Sequence, residues 1–448
     1  MTVSRRRRLA AAALAALLLA GCSSSPAATG STAGSPATGS SGSPATGSSP
    51  VDPGTAGSTS VTSAGPTESA VTSSSTTTPD DGSAPAYVAG LQPEIDRVVA
   101  ELGIVGGVVL VRSPELGDWS TAFGTRTYRG DDPVTLDDHV RIGSNTKTMT
   151  ATVILQLVQE GKLKLDDPVS TYRPDVPNGE NITIGQLMDM RSGLGNYTTD
   201  LALNEEQDAN PSRVWMPEEL LAMGLAMPPE FAPGQGWFYS NTNYVLLGVI
   251  IEQLTGHKVE DEFASRIFQP LGLQGSSMPA LADAGIPEPH PQGYTYGTNV
   301  GTIDSNELSP EIQAAAADGS LAPFDVTGLN PSWGWTAGGA ISTAGDLAVY
   351  VKAMVGGGLL SPEVQQERMD SVIPTTDNPD GQKYGYGLGL FPGGFYGHSG
   401  ELPGFNSFMG YDPATATTVV TWATNAPAPN GKPPAVSLAQ VTIGALAG

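Results

Sequence analysis

Ser144-Asn145-Thr146-Lys147 stands immediately before an apolar pattern of helical spacing, which Met149 and Val153 begin. If this pattern forms a helix, Ser144 and Lys147 share one face of its first turn, where free backbone N–H groups favour negative charge. A serine hydroxyl beside an amine is a nucleophile with its own base. The serine could instead simply cap the helix, and these four residues alone favour the cap.

Two later segments change that balance. Tyr239-Ser240-Asn241 precedes a second helical pattern, and His398-Ser399-Gly400 lies in a segment of strand-like alternation. Each has an ordinary structural interpretation, as a packing tyrosine, a turn asparagine or a structural histidine. In this order along the chain, however, the three motifs resemble those of the penicillin-recognising serine hydrolases. The resemblance covers roughly residues 90–445 and is closest to the branch of class C β-lactamases, D-alanyl-D-alanine carboxypeptidases and esterases.

The resemblance implies a catalytic role for three side chains. Ser144 would attack a carbonyl carbon and form an acyl-enzyme, and Lys147 would take the proton of its hydroxyl group. An amine does this only where burial and nearby positive charge disfavour its protonated form. Tyr239 would pass a proton to the leaving group and help to activate the water that hydrolyses the acyl-enzyme.

The resemblance also implies a set of binding groups. Asn241 would hydrogen-bond both to Lys147 and to a substrate amide, and His398 would line the cleft and orient the far end of the substrate. Gly400 would allow the strand backbone to approach the substrate closely. The backbone N–H groups of Ser144 and Glu401 would form the oxyanion hole, where one donor contributes about 3 kcal/mol.

Several features refine the expected chemistry. The third motif carries histidine where β-lactamases of this branch usually carry lysine, and a neutral imidazole holds a carboxylate less firmly and in a more pH-dependent way. Glu401 would repel a substrate carboxylate if its side chain pointed into the cleft. Met190 stands where relatives often have histidine, and we expect it to affect packing. A Ser-His-Asp triad is not supported, because no histidine lies near a Gly-x-Ser-x-Gly segment.

The sequence pattern predicts an α+β domain of the β-lactamase/transpeptidase type. Strand patterns lie near the two ends of residues 87–448, at 104–123 and 386–425, with helical patterns at 91–102 and 436–446 outside them. Helical patterns and long loops fill roughly residues 145–370. We therefore expect one antiparallel sheet built from both ends, covered by terminal helices, with a mainly helical segment inserted.

The N-terminal residues predict export. Residues 1–21 have four arginines followed by a short apolar run, which is typical of a signal peptide. The run ends at Leu19-Ala20-Gly21-Cys22, which resembles a bacterial lipobox, and Cys22 is the one cysteine in 448 residues. We expect lipidation of Cys22 and a location on the extracytoplasmic face of the cell membrane. Whether the signal is Sec or twin-arginine stays open.

Composition indicates how the rest of the chain is used. Residues 22–86 consist largely of Ser, Thr, Ala, Gly and Pro, a composition that favours a flexible tether without a core of its own. The net charge of −24 argues against a nucleic-acid partner. We expect a monomer that needs no cofactor or metal and meets the membrane through its lipid anchor alone.

The expected function is that of an exported serine acyl-hydrolase. A D-alanyl-D-alanine carboxypeptidase-like activity on cell-wall peptides is the first choice, because a lipid-tethered domain would reach the wall. An esterase or a β-lactamase would use the same residues, with an ester or a β-lactam as substrate. The alternative of another class is a non-catalytic wall-binding lipoprotein, which should have lost Ser144, Lys147 or Tyr239.

Overall fold

The computed structural model describes residues 75–77, 84–376, 378 and 381–448. The predicted signal peptide, Cys22 and most of the predicted tether lie outside the described residues. One short piece of the tether segment is described and forms strand β1 (Ser75–Thr77), which pairs antiparallel with β3 (Trp119–Gly124). The sheet therefore includes three residues from a segment whose composition alone predicts a tether.

Both ends of the folded region build the main antiparallel sheet. Besides β1 and β3, its strands are β2 (Gly106–Arg112), β8 (Ile373–Pro374), β9 (Lys383–Tyr384), β10 (Gly389–Phe391), β11 (Phe395–Leu402), β12 (Phe405–Asp412) and β13 (Thr417–Ala423). The strand order is β1-β3-β2-β13-β12-β11-β10-β9-β8, so that β2 from the N-terminal side pairs directly with β13 from the C-terminal side.

Helices pack on both faces of this sheet. Successive side chains of a strand point to opposite faces, and in β2 both sets are apolar and buried. Val109 and Val111 face the terminal helices, whereas Val108 and Leu110 join the large core under the helical segment. The terminal helices are α1 (Val88–Leu102) and α13 (Pro434–Leu446), which also contact each other.

The inserted segment is mainly helical. Two short sheets lie within or beside it, β4 (Val140–Arg141) with β7 (Ile341–Ser342), and β5 (Tyr294–Thr295) with β6 (Phe324–Asp325). Its helices are α2 (Thr146–Gln159), α3 (Ile184–Met188), α4 (Leu201–Ala209), α5 (Pro217–Ala226), α6 (Asn241–Thr255), α7 (Val259–Phe263), α8 (Gln269–Leu271), α9 (Pro310–Ala317), α10 (Trp335–Gly338), α11 (Ala344–Gly356) and α12 (Pro362–Asp370).

The predicted fold class is confirmed, with local differences. The strand pattern at residues 386–391 is only half realised, because Gly385–Gly387 turns between β9 and β10 and Gly385 N–H bonds back to Leu388 O at 2.9 Å. β11 continues four residues past His398, so the third motif lies in the middle of a strand. Across the described ranges, no helix is both long enough and apolar enough to span a membrane.

Candidate active site

Ser144 lies on a tight turn that leads into the central helix α2. The 3-10 turn spans Gly143–Asn145, and α2 begins at Thr146 with Asn145 as its N-cap residue and no side-chain cap. Ser144 Oγ accepts a hydrogen bond from Lys147 Nζ at 3.0 Å. The serine hydroxyl therefore faces the amine three residues on, and the helix-cap interpretation does not hold.

Lys147 is completely buried, and its amine is surrounded by acceptors. Besides Ser144 Oγ, Nζ contacts Asn241 Oδ1 and the Ala337 carbonyl, both at 2.7 Å. The two amide-type oxygens can only accept, so each takes one N–H of the amine. An ammonium group would give its third proton to Ser144, whereas a neutral amine would offer its lone pair to the Ser144 hydroxyl. The same geometry thus serves both protonation states.

A chain of polar side chains holds Asn241 in place. Asn241 is the first residue of α6, and its Nδ2 donates to Asn196 Oδ1 at 3.3 Å and to Thr198 Oγ1 at 3.2 Å. Asn196 Oδ1 also accepts from the Asn241 backbone N–H at 3.1 Å. The predicted contact with Lys147 is present. The sequence predicts that the side-chain amide of Asn241 meets a substrate amide, but its protons are bonded to Asn196 and Thr198. No sequence motif pointed to Asn196 or Thr198.

Tyr239 packs in an aromatic cluster beside the amine. Its ring centroid is 4.8 Å from Lys147 Nζ and lies 6.3–6.4 Å from the rings of Trp237, Tyr384 and His398. The electron-rich face of a ring attracts a cation. The structure therefore brings Tyr239 together with Ser144 and Lys147, as the motif order predicts.

His398 is buried, and both of its ring nitrogens have partners. Nδ1 contacts the Ser399 carbonyl, which can only accept, so Nδ1 carries the proton and Tyr384 Oη donates to Nε2 at 3.0 Å. Burial lowers the pKa of His398 to about 3, with a smaller contribution from Lys147 when its amine is protonated. The imidazole is neutral in ordinary buffers, and neither nitrogen is left to orient the substrate. The expected pH-dependent grip on a carboxylate is therefore not supported.

Two glycines allow β11 to approach the serine turn. A Cβ atom on Gly400 would lie 1.8 Å from Ile142 O and 2.9 Å from Ser144 N, and one on Gly143, whose φ is +52°, would lie 2.4 Å from Glu401 N. Gly400 was expected to make room for substrate, but the clashing atoms belong to the turn itself. The close approach places the backbone amides of Ser144 and Glu401 on facing segments, as an oxyanion hole requires.

The Glu401 side chain points away from this turn. In the β11–β12 register it pairs with Asn406, and Asn406 Nδ2 donates to its carboxylate at 2.9 Å. Asn406 Oδ1 accepts from Ala435 N in the first turn of α13, so this is the face that α13 covers. Burial raises the pKa of Glu401 to about 7. The carboxylate therefore does not face a substrate at Ser144, contrary to the concern raised by the sequence.

Residues that the three motifs do not point to also stabilise the Gly143–Asn145 turn. Asn145 Nδ2 donates to Ser407 Oγ on β12 at 2.8 Å, and Ser407 Oγ donates to Ile142 O at the same distance.

Met190 is buried, with its Sδ 3.4 Å from Ser240 N, which agrees with the expected packing role. No cluster of three or more His, Cys, Asp or Glu side chains suited to a metal occurs in the described part of the chain.

Comparisons with known proteins agree with this arrangement. A family model described as Beta-lactamase matches residues 91–441. The penicillin-binding protein PbpX of Bacillus subtilis (strain 168) is 26% identical over 334 residues, 74% of this chain and 73% of that protein. Esterase EstB of Burkholderia gladioli is 27% identical over 353 residues, 70% and 87% of the two chains. The solved structure of a D-stereospecific amidohydrolase from Streptomyces sp. matches with a TM-score of 0.66 and 30% sequence identity. The match covers 79% of this chain and 97% of that chain.

Proposed function

The chain belongs to the Beta-lactamase family, and from that premise we propose that it is an exported serine acyl-hydrolase that works through an acyl-enzyme on Ser144. The observation that carries the proposal is the 3.0 Å contact between Ser144 Oγ and the fully buried Lys147 amine. Burial disfavours the charged amine, which is the condition under which lysine can act as a base. The family resemblance seen in the three motifs is confirmed.

The reaction we propose begins with neutral Lys147. Its two N–H groups stay on Asn241 Oδ1 and Ala337 O, and its lone pair accepts the proton of Ser144 as Oγ attacks the carbonyl carbon. The backbone N–H groups of Ser144 and Glu401 stabilise the negative oxygen that forms. Tyr239 protonates the leaving group, and the carbon–leaving-group bond breaks. Water then attacks the acyl-enzyme and gives a proton to the Tyr239 phenolate, the ester bond to Ser144 breaks, and Ser144 Oγ takes back the proton that Lys147 holds.

We propose a D-configured acyl donor in a peptide, amide or ester as substrate. D-Alanyl-D-alanine cell-wall peptides remain the first candidate, because a domain anchored through Cys22 would work close to the wall. The neutral, fully bonded His398 favours a second candidate, a D-amino-acid amide or ester whose leaving group carries no carboxylate. The similarity to a D-stereospecific amidohydrolase supports the same choice. Efficient β-lactamase activity is not expected from this histidine.

Labelling of the nucleophile tests the function directly. We expect intact-mass spectrometry to show one stable adduct with a fluorescent penicillin or a fluorophosphonate, and no adduct with Ser144→Ala, because Oγ is the attacking atom. Ser399→Ala, which changes a serine of the neighbouring motif, is the matched control and should still be labelled. Folded wild-type protein that no β-lactam or fluorophosphonate labels would refute the proposal.

Substrate comparison separates the remaining candidates. A D-alanyl-D-alanine peptide, a D-alanine amide and a short-chain ester would be compared by kcat/KM, each with its L-configured counterpart. Turnover of the peptide well above the amide would favour the carboxypeptidase. Binding to isolated wall material without any turnover or labelling would instead favour the non-catalytic wall-binding alternative.

A further inference from the structure

A buried arginine contacts the helix that carries the proposed catalytic lysine. Arg368 on α12 is completely buried, with Nη2 donating to Thr148 O at 3.1 Å and Nη1 to Thr152 Oγ1 at 2.8 Å. Both partners are on α2, and Thr148 follows Lys147 directly. The guanidinium therefore touches the same helical turn that carries the amine.

Nothing negatively charged compensates Arg368 among the described residues. The polar groups around it are the phenols of Tyr350, Tyr244 and Tyr384, and its Nε has no hydrogen-bond partner. A buried unpaired guanidinium costs several kcal/mol, and arginine keeps its proton even where burial lowers its pKa. A charge retained at such a cost points to a role beyond packing.

Tyr244 interacts with both the guanidinium and the amine. Its ring centroid is 5.6 Å from Lys147 Nζ. Burial raises the pKa of Tyr244 and of Tyr384 well above 10, so these phenols stay neutral. Neutral groups of low polarity screen a charge much less than water does, so the positive potential of Arg368 reaches the amine.

We propose that Arg368 is a positioning residue that acts through Lys147, keeping the amine neutral so that it can accept the Ser144 proton. The N-terminal end of the α2 dipole adds to the same positive potential. This inference rests on the proposed function, because it needs Ser144 to be a nucleophile and Lys147 to be its base.

The groups that contact Lys147 are polar side chains, a backbone carbonyl and aromatic rings. Ser144, Asn241 and the Ala337 carbonyl hydrogen-bond to it, Tyr239 lies beside it, and His398 is neutral. Asp189 is a carboxyl that acts electrostatically on Tyr244 and Tyr384. Burial raises its pKa to about 6, and it pairs with Arg191 at 3.7 Å. An experiment must therefore separate Asp189 from Lys147.

The test is the pH dependence of Ser144 labelling by a fluorophosphonate, using the full-length protein. Arg368→Met removes the cation, so Lys147 should be protonated more easily. The acid limb of the labelling profile, which is the pH range in which protonation of Lys147 slows labelling, should therefore move up by about one pH unit. At pH values below the midpoint of this limb, the variant should be labelled about tenfold more slowly than wild type. At high pH the two labelling rates should become equal. Arg368→Lys should keep the wild-type limb, and Asp189→Asn should leave that limb in place if Lys147 causes it.

A second pair of variants covers the case in which Arg368→Met does not fold, which a thermal melt would show. Thr152→Asp places a carboxylate against the guanidinium, and Thr152→Asn matches it in shape without the charge. We expect the acid limb to move up in the aspartate variant relative to the asparagine variant. Lower rates at every pH with an unmoved limb, in Arg368→Met or in this pair, would show a merely structural arginine and overturn the inference. Absence of labelling in the wild type would instead overturn the proposed function.

Discussion

At the scale of single residues, the protonation state of a group depends on what surrounds it more than on its type. His398 and Glu401 are three residues apart on β11, yet burial lowers the pKa of the first to about 3 and raises that of the second to about 7. Both groups therefore favour their neutral forms near pH 5. The sequence shows both residues but not their partners, because Tyr384 and Asn406 reach them only through sheet pairing.

Glu401 gives a stability prediction with a definite sign. Its pKa rises from an ordinary 4.5 to about 7 on folding, so its stabilising contribution is present below pH 4.5 and is lost as the pH rises through 7. Glu401→Gln keeps an acceptor for Asn406 and has no proton to lose. Relative to wild type, the variant should gain on the order of 2 kcal/mol in unfolding free energy between pH 4.5 and pH 8.

Urea unfolding at these two pH values measures this gain. Glu115→Gln, an exposed glutamate, is the control and should show the same difference from wild type at both pH values. A constant offset for Glu401→Gln across the range would contradict the titration that we assign to this carboxyl.

At the scale of elements, the site depends on how closely one strand approaches one turn. β11 lies against the Gly143–Asn145 turn. On the side of β11 that faces β10, only Phe395–Gly397 pair with that strand, so the later residues of β11 are free to lie beside Ser144. The helical patterns that carry Lys147 and Asn241 could be predicted because apolar periodicity is a local signal. The close approach could not, because it joins segments that only the tertiary fold brings together.

Gly400→Ala tests that approach. The added Cβ would lie 1.8 Å from Ile142 O. Neither the Cβ nor the backbone oxygen can rotate away, so β11 and the turn must separate. We expect a loss of about 1–3 kcal/mol in stability and a fall of about 100-fold in the rate of Ser144 labelling, since the oxyanion donors move apart.

Gly444→Ala is the matched control for this variant. Gly444 is exposed on α13, and a Cβ there would meet nothing within 4 Å. Alanine favours a helix over glycine, so stability should stay equal or rise slightly, with labelling unchanged. Normal labelling by a folded Gly400→Ala protein would show that the approach of β11 is not needed for the oxyanion hole.

At the scale of the whole molecule, sequence patterns indicated the architecture better than its details. The change from strand-like to helical spacing and back predicted a sheet from both ends with helices inserted, and the structure has this arrangement. Arg368 gave no signal, because a single arginine in a polar helix such as α12 is usually exposed. Its importance became visible only through burial.

Anchoring is a prediction for the entire chain. We expect the wild-type protein, expressed in a bacterium with its N-terminal residues, to partition into a detergent phase, because the lipid on Cys22 supplies the apolar surface. Cys22→Ser should move the protein into the aqueous phase without changing its melting temperature or Ser144 labelling. Ser23→Ala is the control and should partition as wild type does. A Cys22→Ser protein that still enters the detergent phase would exclude lipidation of this cysteine as the anchor.

The pairing of β2 with β13 has a consequence for how the domain folds. The paired residues, such as Val111 and Val419, are about 300 positions apart, and β2 is an interior strand, third in the order of the sheet. The ladder between β2 and β13 therefore cannot close until nearly the whole chain is available, and until then β2 exposes apolar side chains on both faces. Folding should be slow and late relative to synthesis, so the incomplete chain stays open to chaperones and to threading through a narrow translocation channel.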